Sequence, residues 1–433
     1  MRAARIAGLL FLTCSFGLPR AGQETSIGRT VLDNGLTVIA QTDTTSAITV
    51  VEIVIKGGAA AEPAGRAGMS YLATRLSIEI PDQAVGQDFL IKALRNSMSS
   101  RDDEAVIHLE FLTDYAEPIL KSFAGLLADP MITSIRVDRL IESMAHQRRI
   151  QADEASFQAR LAHREAFFGG TGYAGATFGT EESLGRLKTK EIKEFYDLRF
   201  DPRNMIIVAV SDLPPESLQS LVARHFGALR ARSGNSAGEE PPISAKNPLP
   251  ETRRIKKDQR QSVVSCAFPL PRIGPEDYVL TFLIENVVGR GPGSRLWALR
   301  TEKQLAYVVS CLAFPFRQAG FIECYLETDA VRADAAKDAL AEALGEIRDK
   351  GITAEEFEAG KAVLWADFLR TNETKANRAS TLGLLESIGL KAEFVGDFRR
   401  ILDSLSLERV NAAIKRLFDP ARASWVIVGP EKS

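Results

Sequence analysis

The segment Arg199-Phe200-Asp201-Pro202-Arg203-Asn204, followed by the apolar run Met205 to Val210, returns 218 positions later as Leu417-Phe418-Asp419-Pro420-Ala421-Arg422, followed by Trp425 to Val428. In each copy a helix must stop near the Asp-Pro pair, because proline disfavours helix at the residue before it. An apolar run of strand length then follows. A second pair, Leu112-Thr113-Asp114 and Glu327-Thr328-Asp329, each leading into a helical pattern, is offset by 215 positions. Two matches at nearly one offset mark an internal duplication. Such a chain has to build one fold twice.

Between the copies, Ser233-Gly234-Asn235-Ser236-Ala237-Gly238-Glu239-Glu240-Pro241-Pro242, continuing to Pro250, is rich in Gly, Ser and Pro and lacks periodic apolar residues. It reads as a linker. The expected organisation is therefore an N-terminal domain over 23–232, a linker over 233–252 and a C-terminal domain over 253–433. Each half has an ordinary domain size of roughly 200 residues. Strands are expected at Leu36 to Ile39, Thr49 to Ile55, Ala105 to Leu112, Ser262 to Phe268, Tyr307 to Ala313 and Gly320 to Glu327. Helices are expected at Val137 to Ile150, Ser156 to Phe168, Ala333 to Lys350 and Ala354 to Leu369. Strand runs followed by helix runs point to an α+β class: two homologous α/β sandwiches in tandem, each an antiparallel-rich sheet with helices packed on one face.

Composition excludes several functions. With 45% hydrophobic and 25% charged residues and a net charge of −2, the chain has no electrostatic bias toward nucleic acid or an anionic membrane surface. Past the N-terminus, no stretch is apolar over the roughly 20 residues a membrane span requires. No Gly-x-Gly-x-x-Gly or Walker-type loop follows a strand, and no Gly-x-Ser-x-Gly elbow is present. The basic run Arg253-Arg254-Ile255-Lys256-Lys257 is short and lacks interleaved aromatics, so it reads as a solvated domain entry.

At the N-terminus, basic Met1 to Arg5, apolar Ile6 to Leu18 and small Ala21 and Gly22 follow the pattern of a secretory signal peptide over residues 1–22, directing the chain to the periplasm. A disordered or membrane-tethered tail is the alternative, and lipidation at Cys14 is a poorer match. Cleavage would leave Cys266, Cys311 and Cys324. Three thiols make no disulfide framework. Cys311 and Cys324 lie on consecutive expected strands, but cross-strand geometry disfavours a disulfide, so buried free thiols are the expectation.

Several fragments, in order, resemble one family. Leu32-Asp33-Asn34-Gly35-Leu36-Thr37-Val38 resembles its opening strand, Lys56 to Glu62 and Gly68 its glycine-rich approach to a helix, and Tyr173 to Thr180 and Arg199 to Asn204 the rest of its first half. The family is M16, the inverted zincins related to pitrilysin and the mitochondrial processing peptidase. There the helix after Gly68 carries His-x-x-Glu-His, whose two imidazoles hold zinc while the Glu polarises its water. Here those positions are Tyr71, Thr74 and Arg75. The family's later Glu ligand falls by spacing on Gln147, with Glu142 as the alternative register. None of these is the family's ligand, and Arg75 places a permanent positive charge where the cation would sit. His146 and the other histidines, His108, His163 and His225, lack metal-ligand spacing.

The second half retains what the first has lost. Ser294 to Tyr307 resembles the family's substrate-clamping segment, whose Arg and Tyr fall on Arg300 and Tyr307. A guanidinium and a phenol can orient a scissile carbonyl or stabilise an oxyanion. The resemblance thus implies a chain without zinc of its own, pairing with a homologous subunit that carries intact His-x-x-Glu-His and zinc, and binding peptide through Arg300 and Tyr307. A non-proteolytic scaffold, or a homodimer that captures peptides, remains the alternative.

Overall fold

The computed structural model describes residues 27–80, 83–231, 243–249 and 251–431. The signal pattern at residues 1–22 and the Gly/Ser-rich run 233–242 lie outside them. The first half opens with strands β1 (Ile27–Val31), β2 (Thr37–Thr42) and β3 (Ile48–Lys56), then helices α1 (Met69–Ser77) and α2 (Gln83–Ile91). Strands β4 (Arg95–Ser100) and β5 (Glu104–Leu112) follow, then α3 (Ala116–Ala128), α4 (Ser134–Ala152) and α5 (Ala155–Phe168). It closes with α6 (Glu181–Arg186), α7 (Thr189–Arg199), β6 (Met205–Ser211) and α8 (Pro215–Phe226).

The second half runs β7 (Arg253–Lys256), β8 (Gln261–Pro271), α9 (Pro275–Gly289), the short α10 (Ala298–Thr301), β9 (Val308–Pro315) and β10 (Ala319–Asp329). Helices α11 (Ala333–Lys350), α12 (Ala354–Thr371), α13 (Lys375–Ser387), α14 (Phe394–Ser404) and α15 (Leu407–Leu417) lead to β11 (Ser424–Gly429). The six- and five-strand, helix-rich halves are α+β, as the sequence pattern implied.

The duplication is visible strand by strand. One sheet is ordered β1-β2-β6-β3-β5-β4 and the other β7-β11-β8-β10-β9. In each, one parallel pair, β2 with β6 and β7 with β11, adjoins antiparallel neighbours. Both Asp-Pro copies do the same local work. Asp201 and Asp419 each accept a bond from the backbone N–H two residues on, at 3.1 and 3.0 Å, and cap a short 3-10 turn before the last strand of the half. Proline fits there because the first turn of a helix needs no N–H from it.

The halves are interlocked. Helices of the first half, α1, α3, α7 and α8 among them, cover one face of the first sheet around Leu36, Ile53, Leu72 and Phe123. The opposite face, with Ile39, Val50, Val54 and Val208, is covered by α13 from the second half through Ala379 and Leu382. Conversely α5 of the first half lies on β11 and β8 of the second sheet, where Ala159 and Ala162 meet Val263, Val426 and Val428. The equivalent helix of each copy covers the equivalent strands of the other. A sheet with two apolar faces needs a cover on both, and each half finds its second one across the duplication.

Several polar groups buried by this exchange find partners across it. His163 of α5, fully buried, bonds Ser424 at 2.8 Å and Ser265 at 2.9 Å, and Ser265 donates to Glu323, which also takes Arg160 at 2.9 Å. Burial pushes the His163 imidazole down to about 3, so it is neutral. On the other side Ser380 of α13 donates to Glu52, and Lys375 donates to the carbonyls of Ser46 and Ile48 at 2.6 and 2.8 Å. The three cysteines share one cross-strand row, Cys324 opposite both Cys266 and Cys311, all buried and free.

Residues 243–249 carry no helix or strand but are tied down. Ile243 donates to Gln318, and Lys246 to the carbonyl of Phe167. The basic run after them is the edge strand β7, largely exposed, and exposed charges on an edge discourage pairing with other chains.

Candidate functional site

Helix α1 begins at Gly68, whose φ of +95° suits glycine, and a Cβ there would lie 2.9 Å from Met144 of α4. In place of a Ser or Asp cap, the buried carboxylate of Glu62 reaches in. It accepts from the N–H of Gly68 at 3.1 Å and of Ser70 at 2.8 Å. Burial outweighs these donors and raises its pKa to about 8.

Along this helix each zinc position of the related family makes a different contact. Tyr71 packs edge-on against Phe178, with ring centroids 4.8 Å apart. Thr74 is fully buried and donates to the Ser70 carbonyl at 2.8 Å, a bond to its own helix backbone. Arg75 pairs with Glu79 at 3.1 Å. Gln147 is exposed on α4, as are Glu142 and His146. A phenol packed on an aromatic ring, a hydroxyl spent on its own helix and a guanidinium do not make a zinc-binding set. Among the described residues no cluster of three or more His, Cys, Asp or Glu is arranged to hold a metal. The residues therefore do not fit zinc.

What stands there instead is an ion cluster. Glu79, just past the end of α1, receives Arg75, Arg136 at 3.5 Å and Arg139, the last two from α4. Of these residues Arg75, Glu79 and Arg139 line an open cleft of about 670 Å³ between α1, α4 and strand β4. The spacing of Arg136 to Arg139 puts that pair on one face of α4. That much was legible in sequence; that the two helices meet at Glu79 was not.

The segment carrying Arg300 and Tyr307 is pinned at several points. Leu305 donates to the Leu299 carbonyl at 2.9 Å, Lys303 pairs with Glu342 at 2.7 Å, and Arg332 donates to the Gln304 carbonyl at 2.9 Å. Gln304 holds φ +50°, uncommon for a residue with a side chain. Both key side chains project from this held loop. Arg300 is exposed on α10, its guanidinium 4.8 Å above the Trp297 ring. Tyr307 is 53% exposed, its backbone N–H donates to Glu327, and its hydroxyl faces the Asp329 carboxylate at 3.3 Å. Tyr307 thus leaves a large aromatic side chain half in solvent, although most such area is removed from water on folding.

Comparison with known proteins agrees with this geometry. Residues 186–364 match the family described as the Peptidase M16 inactive domain. The non-peptidase homolog YmxG of Helicobacter pylori is 24% identical over 388 residues, covering 88% of this chain and 89% of that protein. The zinc protease PqqE of the same organism is 21% identical over 419 residues, covering 92% of each. Among solved structures, the M16 inactive domain from Pseudomonas fluorescens matches with a TM-score of 0.85 at 21% identity, over 94% of this chain and 99% of that one. A Helicobacter pylori protease gives 0.85 at 16% identity over 94% and 100%.

Proposed function

This chain is an M16-family protein without the family's zinc ligands, and from that premise we propose that it is the non-zinc, substrate-binding subunit of a two-chain peptidase. Its partner is a homologous M16 subunit with intact His-x-x-Glu-His, which supplies zinc, activated water and general base. This chain supplies Arg300 and Tyr307 to the partner's active site. The observation that carries the reading is a contrast. The metal positions are committed to other contacts, with Thr74 buried and Arg75 ion-paired, while Arg300 and Tyr307 stand exposed on a pinned segment. A loop held in advance spends little entropy in meeting a ligand. Substrates are peptides in extended conformation, recognised partly by strand addition. On the N-terminal signal pattern, the pair works in the periplasm. No helix among the described residues is long and apolar enough to cross a membrane.

The test is reconstitution. The pure chain is expected to carry no stoichiometric zinc and to cleave no peptide, and adding the partner is expected to restore cleavage. One zinc per chain in elemental analysis refutes the proposal. In the active pair, Arg300→Ala and Tyr307→Phe should each lower kcat/KM by about tenfold or more, as removal of a positioned donor does. Unchanged kinetics for both would remove them from the site. A second reading, a non-proteolytic peptide-binding or scaffold protein, is favoured by the description of the Helicobacter relative as a non-peptidase homolog. It predicts no partner-dependent cleavage at all.

A further inference from the structure

The cleft beside the end of α1 combines two features that no catalytic role explains. The first is charge. Among the described residues Glu79 is the one carboxylate paired with Arg75, Arg136 and Arg139, and it is only 9% exposed. One negative charge cannot balance three, so a positive excess remains on the cleft wall. Of the three arginines, Arg139 is the most available, with 60% of its side chain exposed, and Arg75 has 37%.

The second feature is backbone. Strand β4 ends the first sheet, bonded to β5 on one side and to no strand on the other among the described residues. Asn96, Ser97 and Met98 of this strand line the same cleft. Side chains alternate along a strand, and Ser100 bonds Ser70 of α1 at 3.0 Å, which places Asn96, Met98 and Ser100 on the α1 face. A peptide added at this edge would set every second side chain on that face, over the arginines.

We propose that this cleft binds an extended peptide along β4 with an Asp or Glu side chain of the peptide seated between Arg75 and Arg139. The former metal helix would then select acidic peptides, and Glu79 acts as an internal stand-in for the ligand carboxylate. The inference rests on the reading of this chain as a peptide-binding subunit and names the substrate class.

The experiment titrates the full chain with short fluorescent peptides, blocked at both ends, that differ only in one central residue, Glu or Gln. The Glu peptide is expected to bind about five- to tenfold more tightly, the range of a partly exposed charge-assisted contact. Raising the salt concentration should shrink that preference. Arg139→Gln, at an exposed position, should abolish the preference and leave the Gln peptide unaffected. Glu79→Gln should strengthen binding of the Glu peptide, which loss of a merely structural ion pair would not do. Methylating alternate backbone amides should abolish binding of both peptides, because strand addition needs those N–H groups.

Equal affinities overturn the proposal, as does binding of neither peptide. So does a preference restored to the Gln peptide by unblocking its C-terminal carboxylate. Reconstituted activity keeps the two readings apart. A pair that cleaves both peptides with equal KM overturns acidic selection and leaves the pairing intact. A chain that prefers the Glu peptide yet never restores cleavage keeps acidic selection and removes the pairing.

Discussion

Replacing Leu382 by alanine should destabilise the half of the molecule to which Leu382 does not belong. The side chain is 1% exposed and lies between α13 and the first sheet, among Ile39, Val54 and Val208. Truncation removes the transfer energy of about three carbons, at about 0.8 kcal/mol each, and adds a cavity term. The helix cannot move inward to fill the hole. It already lies close on the sheet at Gly383, where a Cβ would sit 3.0 Å from Val54. The expected loss is therefore about 3–4 kcal/mol, inside the ~2–5 kcal/mol range for such truncations. Hydrogen exchange at the amides of β3 and β6 reads the first half. All three tryptophans, Trp297, Trp365 and Trp425, lie in the second half, so fluorescence reads that half alone. Exchange in β3 and β6 should accelerate by at least about a hundredfold where it follows global opening, in step with the fluorescence transition. If fluorescence shifts while protection of β3 and β6 stays as before, the halves are independent domains and the interlocking argument fails.

A buried neutral histidine makes stability depend on pH. His163 lies near 3 in the folded chain, against about 6.5 when unfolded. Below about 6.5 the unfolded state binds a proton that the folded state refuses, so this contribution is complete above 6.5 and is lost as pH falls toward 3. Between pH 6.5 and 5 the wild type should lose about 2 kcal/mol more than His163→Gln in denaturant titrations, and parallel curves would refute the assignment. Gly68→Ala forces a side chain onto a backbone at φ +95° and into Met144, and should cost about 1–3 kcal/mol in thermal or denaturant unfolding. An unchanged midpoint would show that the start of α1 relaxes freely. For the proposed clamp, the reconstituted pair with Arg300→Ala or Tyr307→Phe should lose kcat/KM while the variant chains keep the wild-type unfolding midpoint, since both side chains are exposed.

Much of the candidate site is legible because its signals are local. Tyr71, Thr74 and Arg75 are read by their spacing from Gly68, and Arg300 and Tyr307 by the segment around them. The strands that sequence reading passed over are β1, β4 and β7, edge strands with mixed or polar sequences such as Arg95-Asn96-Ser97-Met98-Ser99-Ser100. A half-exposed edge needs no apolar run, so periodicity gives no sign of it. For the same reason the cleft was invisible: β4 forms one of its walls, and Arg136 and Arg139 reach Glu79 across about 60 positions of sequence.

The sequence by itself determined the duplication, the order of the main elements and the loss of the metal ligands. Each depends on residue type at a fixed spacing along the chain, and the Asp-Pro caps, strand runs and helix faces act over only a few residues. Tertiary structure alone decided that α5 and α13 change places. Ala159 and Ala162, or Ala379 and Leu382, mark an apolar helix face but carry no label for the sheet that will cover it. That choice is made by which apolar sheet face is left uncovered once each half has packed its own helices, and this is a property of the whole assembled chain.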